Sequence, residues 1–400
     1  MADIAEPAMV RHASMQNAAA LRALAVDADA LMRLTAIGTS LWRGLSARAI
    51  EPNGYYLPEW ELAVSASASG RTGASVLAAW GDTGLIGLLP VISMWRAYKI
   101  PLPVLISADP YGSLGTPPLD RDRAGDAIIG LMNAARKAGA HALILRDMSL
   151  TGSAMKAIDE VLRRGGMHPT VLQSHARACL DARGDADQLL HDALGTKKLK
   201  ELRRQRNRLA EHGAVSFDVA RRPEDVAAAL ETFLTLEASG WKARRGTALA
   251  QDDGDASFIR RATQALAQRG QCEIVSLHAG ATAVAAAIVL RHQDRAFYFK
   301  LGVDERFSKF SPGVQLTLDL TRHLCADPEI ALADSTADAD HPMINPIWRG
   351  RLAIGNVVVP LRRNGPVVPI VHAAMTLRRL VREPARRLVQ LIRKSREKSR

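Results

Sequence analysis

Cysteine is scarce in this chain of 400 residues: three occur, Cys179, Cys272 and Cys325. They lie too far apart for a metal-ligand spacing or a disulfide framework, so a reducing, cytoplasmic setting is expected and no metal site. No run of 18 apolar residues occurs, so no membrane span is predicted. The first residues, MADIAEPAMVRHASMQ, carry acids and no apolar core, and are not expected to act as a secretory signal. Aromatic residues make up 4% and hardly interleave with the basic runs, which argues against a base-stacking nucleic-acid surface. G-x-x-x-x-G-K-[ST], G-x-G-x-x-G, H-E-x-x-H and G-x-S-x-G are all missing. P-loop and dinucleotide sites, zinc-dependent hydrolysis and a nucleophile elbow are thereby set aside.

What is present is a folded composition, 48% hydrophobic and 24% charged, long enough for two domains. The net charge of +12 is unevenly distributed. From Arg378 to Arg400 ten Arg/Lys face two Glu, and from Lys197 to Arg208 seven face one. In the tail, apolar residues from Leu377 to Ile392 recur at near-helical spacing among the arginines, interrupted by Pro384. That pattern fits a peripheral helix on an anionic membrane face, or a helix docked on the protein's own second domain.

Periodicity gives the same order of elements twice. In the first half a hairpin (SVLAAW, LIGLLPVISMW), a third strand (LPVLISA) and the loop DPYGSLGTPPLDRD lead to a helix over Ala124–Ala138. Strand HALILRDM, helix Ala154–Arg164 and strand Pro169–Leu180 complete it. After helical signals at Lys197–Glu211, Pro223–Ala238 and Ala256–Gln268, the second half repeats the hairpin (CEIVSLH, TAVAAAIVLRH) and third strand (AFYFKLGV). The loop DERFSKFSPG, a helix over Val314–Cys325, strand IALADST, a short helix near Met343–Trp348 and strand LAIGNVVVPL follow. The expected organisation is a loose lead-in over 1–30, α/β domains over 31–190 and 191–365, and a basic amphipathic tail over 366–400.

The loop SKFSPG carries the clearest chemistry. A helix N-terminus offers unpaired N–H groups and partial positive charge, which suits phosphate. Gly313 permits close approach of backbone to ligand, and Ser308, Lys309 and Ser311 add donors. Ser-Pro-Gly is equally ordinary capping chemistry.

Taken together, AFYFKLGVDERF, SKFSPG and VQLTLDLTRHL resemble the acyl-CoA-binding core of GNAT acyltransferases. KKLKELRRQRNRLAEHG, LEASGWKARRGTAL and ADSTADADHPMINPIWRGR resemble more closely the CelD-type, Fem-like subgroup associated with polysaccharide synthesis. The resemblance spans about Thr196 to Leu361. It implies a mixed α/β fold of two tandem GNAT-like domains, the first degenerate, followed by a basic helical tail. It departs from the usual R/Q-x-x-G-x-G/A loop, since SKFSPGV supplies one glycine.

The resemblance further implies transfer of an acyl group, acetyl foremost, from acetyl-CoA or another acyl-CoA to an amine or hydroxyl of a small-molecule or saccharide acceptor. Aminoacyl-tRNA is the alternative donor, and a non-catalytic scaffold of a polysaccharide synthase the alternative role. Leu301, Val303, Ser308, Lys309, Ser311, Gly313 and Val314 would then hold the donor. Asp334 and His341 would be candidate bases, Tyr298 the acid to the leaving thiolate, and Trp241, Lys242 and Trp348 would shape the acceptor cleft. For Asp334 a turn cap, for His341 a plain loop position, for Trp241 packing at a helix end and for Tyr298 burial are the competing roles. The cytoplasm, with peripheral contact at the inner membrane face through the tail, is the expected location.

Overall fold

The computed structural model describes residues 31–82, 84–240, 246–378 and 380. The lead-in 1–30, the segment holding Trp241 and Lys242, and the tail beyond Leu380 lie outside the described residues.

In the first half the strands are β1 (Met32–Arg33), β2 (Ser75–Gly81), β3 (Gly84–Ser93), β4 (Val104–Ser107), β5 (Ala142–Ser149) and β6 (Thr170–Asp181). Its helices are α1 (Thr39–Ala47), α2 (Pro58–Ser67), α3 (Met94–Tyr98), α4 (Ala124–Lys137) and α5 (Ser153–Arg164). The second half has α6 (Ala186–Leu209), β7 (Val215–Ala220), α7 (Pro223–Ser239), α8 (Asp253–Ala267), β8 (Cys272–Ala279), β9 (Thr282–His292) and β10 (Arg295–Val303). It ends with α9 (Pro312–Cys325), β11 (Leu332–Asp334) and β12 (Gly350–Pro360). The expected short helix near Met343–Trp348 is instead a run of turns, consistent with Pro342 and Pro346 interrupting the hydrogen-bond ladder.

All twelve strands form one sheet, ordered β1-β2-β3-β4-β5-β12-β6-β11-β10-β9-β8-β7. Read inward from either edge, the two halves run the same course. β4 and β5 pair in parallel through the α4 crossover, and β10 and β11 in parallel through α9. The last strands are exchanged: β12 pairs with β5 of the first half and β6 with β11 of the second, while β6 and β12 pair with each other. Each half's sheet is therefore completed by the other half's chain.

Burial explains the strand sequences. β9 is apolar without alternation from Val284 to Leu290, all buried, because helices cover both faces of the central sheet. α7 and α9 both begin with proline, whose fixed φ suits the first helical turn and whose missing N–H costs nothing there. An aromatic cluster joins the halves: Tyr55 of the first stands edge-on to Phe297 of the second, and Trp60 to Phe258 and Phe299, with centroids 4.9–5.7 Å apart.

Residues 367–378 form a helix whose Val367 and Val371 pack with Met94, Val104, Ile106 and Val358. The start of the tail thus docks on the first half, not on the second as the sequence suggested as one alternative. No described helix is long and apolar enough to cross a membrane. Among the described residues no group of three or more His, Cys, Asp or Glu side chains is placed to hold a metal ion.

Candidate functional site

The site begins with a parting of two strands. β10 and β11 pair over Arg295–Phe297 and Leu332–Asp334, and then diverge. On its other edge β10 carries a bulge between Tyr298 and Lys300, which leaves Phe299 out of register with β9. A short chain of hydrogen bonds fixes the crotch of the V. Asp334 Oδ1 accepts from Thr336 N–H (2.9 Å), and Thr336 Oγ1 donates to Tyr298 O (2.7 Å). Thr336 has φ +48°, a left-handed conformation that disfavours side chains and is held here by both bonds.

The V opens into a cavity of about 560 Å³. Leu301 and Val303 of β10 form one wall, Ser335–Ala337 and His341 another, and Ser308 with Ser311–Val314 at the start of α9 the third. Ser311 caps α9 in the left-handed region (φ +54°) and makes no side-chain cap bond, so the N–H groups of Gly313 and Val314 have no helical acceptor. Gly313 sits in tight surroundings. A Cβ there would lie 3.0 Å from Leu301 Cδ2, 3.2 Å from Val303 Cγ1 and 3.3 Å from Met343 Sδ.

Of the residues expected to hold a donor, Leu301, Val303, Ser308, Ser311, Gly313 and Val314 share this cavity. Lys309 does not. It lines a separate depression with His212 and Thr282, its ammonium 4.8 Å from the Phe310 ring centre, because Ser311's left-handed turn separates it from the helix start.

One expected base and one expected cleft residue are corrected. Asp334 is fully buried and ion-paired with Arg177, which is equally buried, so it cannot meet a substrate as a base. Trp348 is buried away from the cavity, its Nε1–H donating to Thr321 Oγ1 at 2.9 Å, and shapes no cleft.

His341 does line the cavity, but its Nδ1 accepts from the N–H groups of Met343 and Ile344, both at 3.4 Å. These two contacts orient the ring toward the cavity wall. Tyr298 forms part of the wall with its ring buried against Trp348. Thr317 commits its hydrogen to Gly313 O (2.8 Å), so the Tyr298 hydroxyl donates to Thr317 Oγ1 (3.3 Å). Burial pushes this phenol up to about 12. It stays protonated at neutral pH and is a weak acid toward a thiolate.

Sequence reasoning missed a second, polar cavity of about 330 Å³ in the first half. It lies where β4 and β5 part, between the loop Asp109–Gly115 and the pair Arg146–Asp147. Phe299, Lys300 and Thr336 line both cavities, which therefore meet at the bulge and crotch of the V. None of its lining residues comes from α4, so this cavity does not reach a helix start. Asp147 lies near the end of β5 as Asp334 ends β11, and that parallel was the available signal.

α6 packs on α9, whose first turn lines the larger cavity. Gln315 Nε2–H donates to Leu202 O (2.8 Å), and Arg206 pairs with Asp319 (2.7 Å). Lys197, Lys200, Arg203, Arg204 and Arg208 are exposed and make no ion pair among the described residues.

Residues 196–341 match the family described as acetyltransferase (GNAT) domain, under half of the chain. No curated protein matches the chain in sequence. Among solved structures, FemX is similar with a TM-score of 0.55 at 11% identity, covering 84% of this chain and 98% of its own. The C-terminal domain of a lysylphosphatidylglycerol synthetase from Agrobacterium fabrum is similar with a TM-score of 0.52 at 13% identity, covering 84% and 95%. A tandem GNAT protein from the clavulanic acid pathway overlays with a TM-score of 0.40 at 14% identity, covering 84% and 99%. The chain has a mixed α/β GNAT fold in two tandem halves, with an acyltransferase-like domain in the second.

Proposed function

We propose that the second half transfers an acyl group from acyl-CoA, acetyl-CoA foremost, to an amine or hydroxyl. The observation that carries this is the V between β10 and β11 opening directly onto the uncapped start of α9. Leu301–Val303 and Ser335–Ala337 would hold an extended thioester arm between them, and the N–H groups of Gly313 and Val314 would receive its phosphates. Acyl-CoA, when bound, supplies an activated thioester carbonyl. The protein's part is to orient that carbonyl against β10 backbone, exclude water and admit an acceptor from the side of Phe299 and Thr336. A saccharide acceptor in polysaccharide synthesis rests on the CelD-type resemblance.

One observation favours a second donor. α6 packs on α9, the helix whose start lines the cavity, and its exposed lysines and arginines suit the phosphates of aminoacyl-tRNA. With the lone glycine in the phosphate loop, a non-catalytic scaffold is the third outcome. Mass spectrometry of molecules co-purifying with the full chain separates them: CoA, RNA, or neither. Calorimetry with CoA should show binding; its absence would remove the acyl-CoA assignment.

We also propose a peripheral membrane contact on the first half. Trp95 of α3 and Leu377 of the docked helix are exposed, and Arg378 lies 4.3 Å over the Tyr98 ring, which brings the two helices together.

A further inference from the structure

We propose that the polar cavity of the first half is the acceptor seat of the transfer. It is built for a molecule carrying an amine and an acidic group a few bonds apart, with Asp147 receiving the amine and Arg146 the acid. This rests on the acyl-transfer reading of the adjoining cleft.

The first ground is contiguity. An acceptor must reach the thioester where β10 and β11 part, and Phe299, Lys300 and Thr336 at that point belong to both cavities. The second ground is the state of the charges. Arg71 is already matched: it lies 3.1 Å from Asp109 and 4.1 Å above the Tyr111 ring. Lys300 is matched by Glu237 at 3.3 Å. Arg146 and Asp147 are not. Arg146 sends Nε–H and Nη2–H to Ser107 O (3.0 and 2.7 Å) and makes no ion pair among the described residues. The carboxylate of Asp147 makes no hydrogen bond or ion pair among them.

Both side chains are half-buried in the same cavity, and charges partly withdrawn from water without an ion pair cost free energy that a ligand of opposite polarity recovers. A two-charge acceptor matches them in one step; a neutral sugar or a simple amine leaves one unmatched.

The groups acting on Asp147 are Arg146, Arg177 and His175, which favour its ionised form, and Asp109, which opposes it. Burial prevails and holds its carboxyl above the usual carboxylate range. A carboxylate so tuned is a better proton acceptor than an exposed one. In the transfer the amine nitrogen forms a bond to the thioester carbonyl carbon and the C–S bond breaks. The amine bound as an ammonium gives up two N–H protons: one passes to Asp147 and frees the lone pair for attack, the other leaves the nitrogen as the C–S bond breaks and goes to the thiolate, and the products are an amide and a free thiol.

The test titrates the full chain by calorimetry with two sets of probes. L-alanine is compared with its methyl ester and with N-acetyl-L-alanine; glucosamine 6-phosphate is compared with glucosamine. One two-charge probe should bind about tenfold or more tighter than its one-charge partners, and which set responds tells an amino acid from an aminosugar. Arg146→Met should reduce alanine to the level of its ester, Arg146→Lys should restore part of the difference, and Asp147→Asn should reduce alanine to the level of its N-acetyl form. CoA binding should stay unchanged in all three variants. With acetyl-CoA and the responding probe, Asp147→Asn should lower kcat by about 10²-fold or more and abolish the acid limb of the pH profile. One-charge probes binding as well as two-charge ones, or variants without effect, would overturn the seat. CoA failing to bind while a two-charge probe binds overturns the donor assignment alone.

Discussion

Arg177 of β6 and Asp334 of β11 form an ion pair at the seam where the two halves exchange strands, and neither side chain reaches solvent. Arg177 also donates to Ser113 O in the wall of the polar cavity, and Asp334 holds the N–H of Thr336 at the crotch of the V. One pair therefore ties the strand exchange to both cavities.

Breaking it from one side leaves the other charge buried and unmatched. Asp334→Ala and Arg177→Ala should each cost about 3–5 kcal/mol in urea denaturation. Replacing both by apolar residues, Arg177→Met with Asp334→Leu, should cost far less than the sum of the single losses. Strict additivity in that cycle would show that the two do not act as a pair.

Gly313 supports a second prediction. Gly313→Ala should lower stability by about 1–3 kcal/mol, because its Cβ lands 3.0 Å from Leu301 in a packed wall. Adding Leu301→Ala should recover part of that loss, since the nearest clashing atom is removed. Thermal midpoints of the single and double variants decide it, and no recovery would mean that strain lies elsewhere.

Much of the fold was legible in the sequence. The hairpins, the aromatic strand and the helices after each Gly/Pro-bearing loop were visible because their periodicity is strong. β7, α1 and α2 were missed: VSFDVA is a short edge strand, and α2 is buried on nearly every face, acids included, so no polar stripe marks it. The strand exchange is invisible to periodicity, because β6 and β12 read the same whichever half they join. At the site, the donor wall followed from local order. Asp334 misled because a strand-terminal acid looks like a base until its partner, 157 residues away in sequence, is known. Lys309 misled because a left-handed residue between it and α9 reverses its direction.

His292 predicts a pH effect between the halves. Its Nδ1 accepts from Asn53 N–H (2.9 Å) and its Nε2–H donates to Ser46 O (3.0 Å), so the Asn53 bond needs the neutral ring while the Ser46 bond survives protonation. Burial lowers its pKa from 6.5 to about 4. Between those values the unfolded chain binds a proton that the folded chain refuses, so stability falls as pH falls. The contribution is complete above pH 6.5 and about 3 kcal/mol of it should be gone near pH 4. His292→Gln should flatten this segment of the stability curve measured by denaturant midpoints. An unchanged slope in that variant would place the acid sensitivity in other groups.

The last prediction concerns the exposed face of the first half. Trp95, Leu377 and Leu380 are 56%, 63% and 63% exposed, and Lys99 stands 5.7 Å from the Trp95 ring centre. Beyond Leu380 the sequence adds eight Arg/Lys against two Glu. Apolar side chains that enter the headgroup layer, with cations beside them, attract an anionic leaflet by about 1 kcal/mol per charge near the surface. Salt weakens the charge component, with a Debye length of about 10 Å at 0.1 M, but not the apolar one. Flotation with vesicles containing anionic lipid should therefore retain the full chain at low salt and release most of it at high salt. A chain ending at Leu380 should bind less and lose most of its salt dependence. Trp95→Glu with Leu377→Glu in the full chain should bind less at every salt concentration. If all three float alike, neither the apolar face nor the basic extension is a membrane contact.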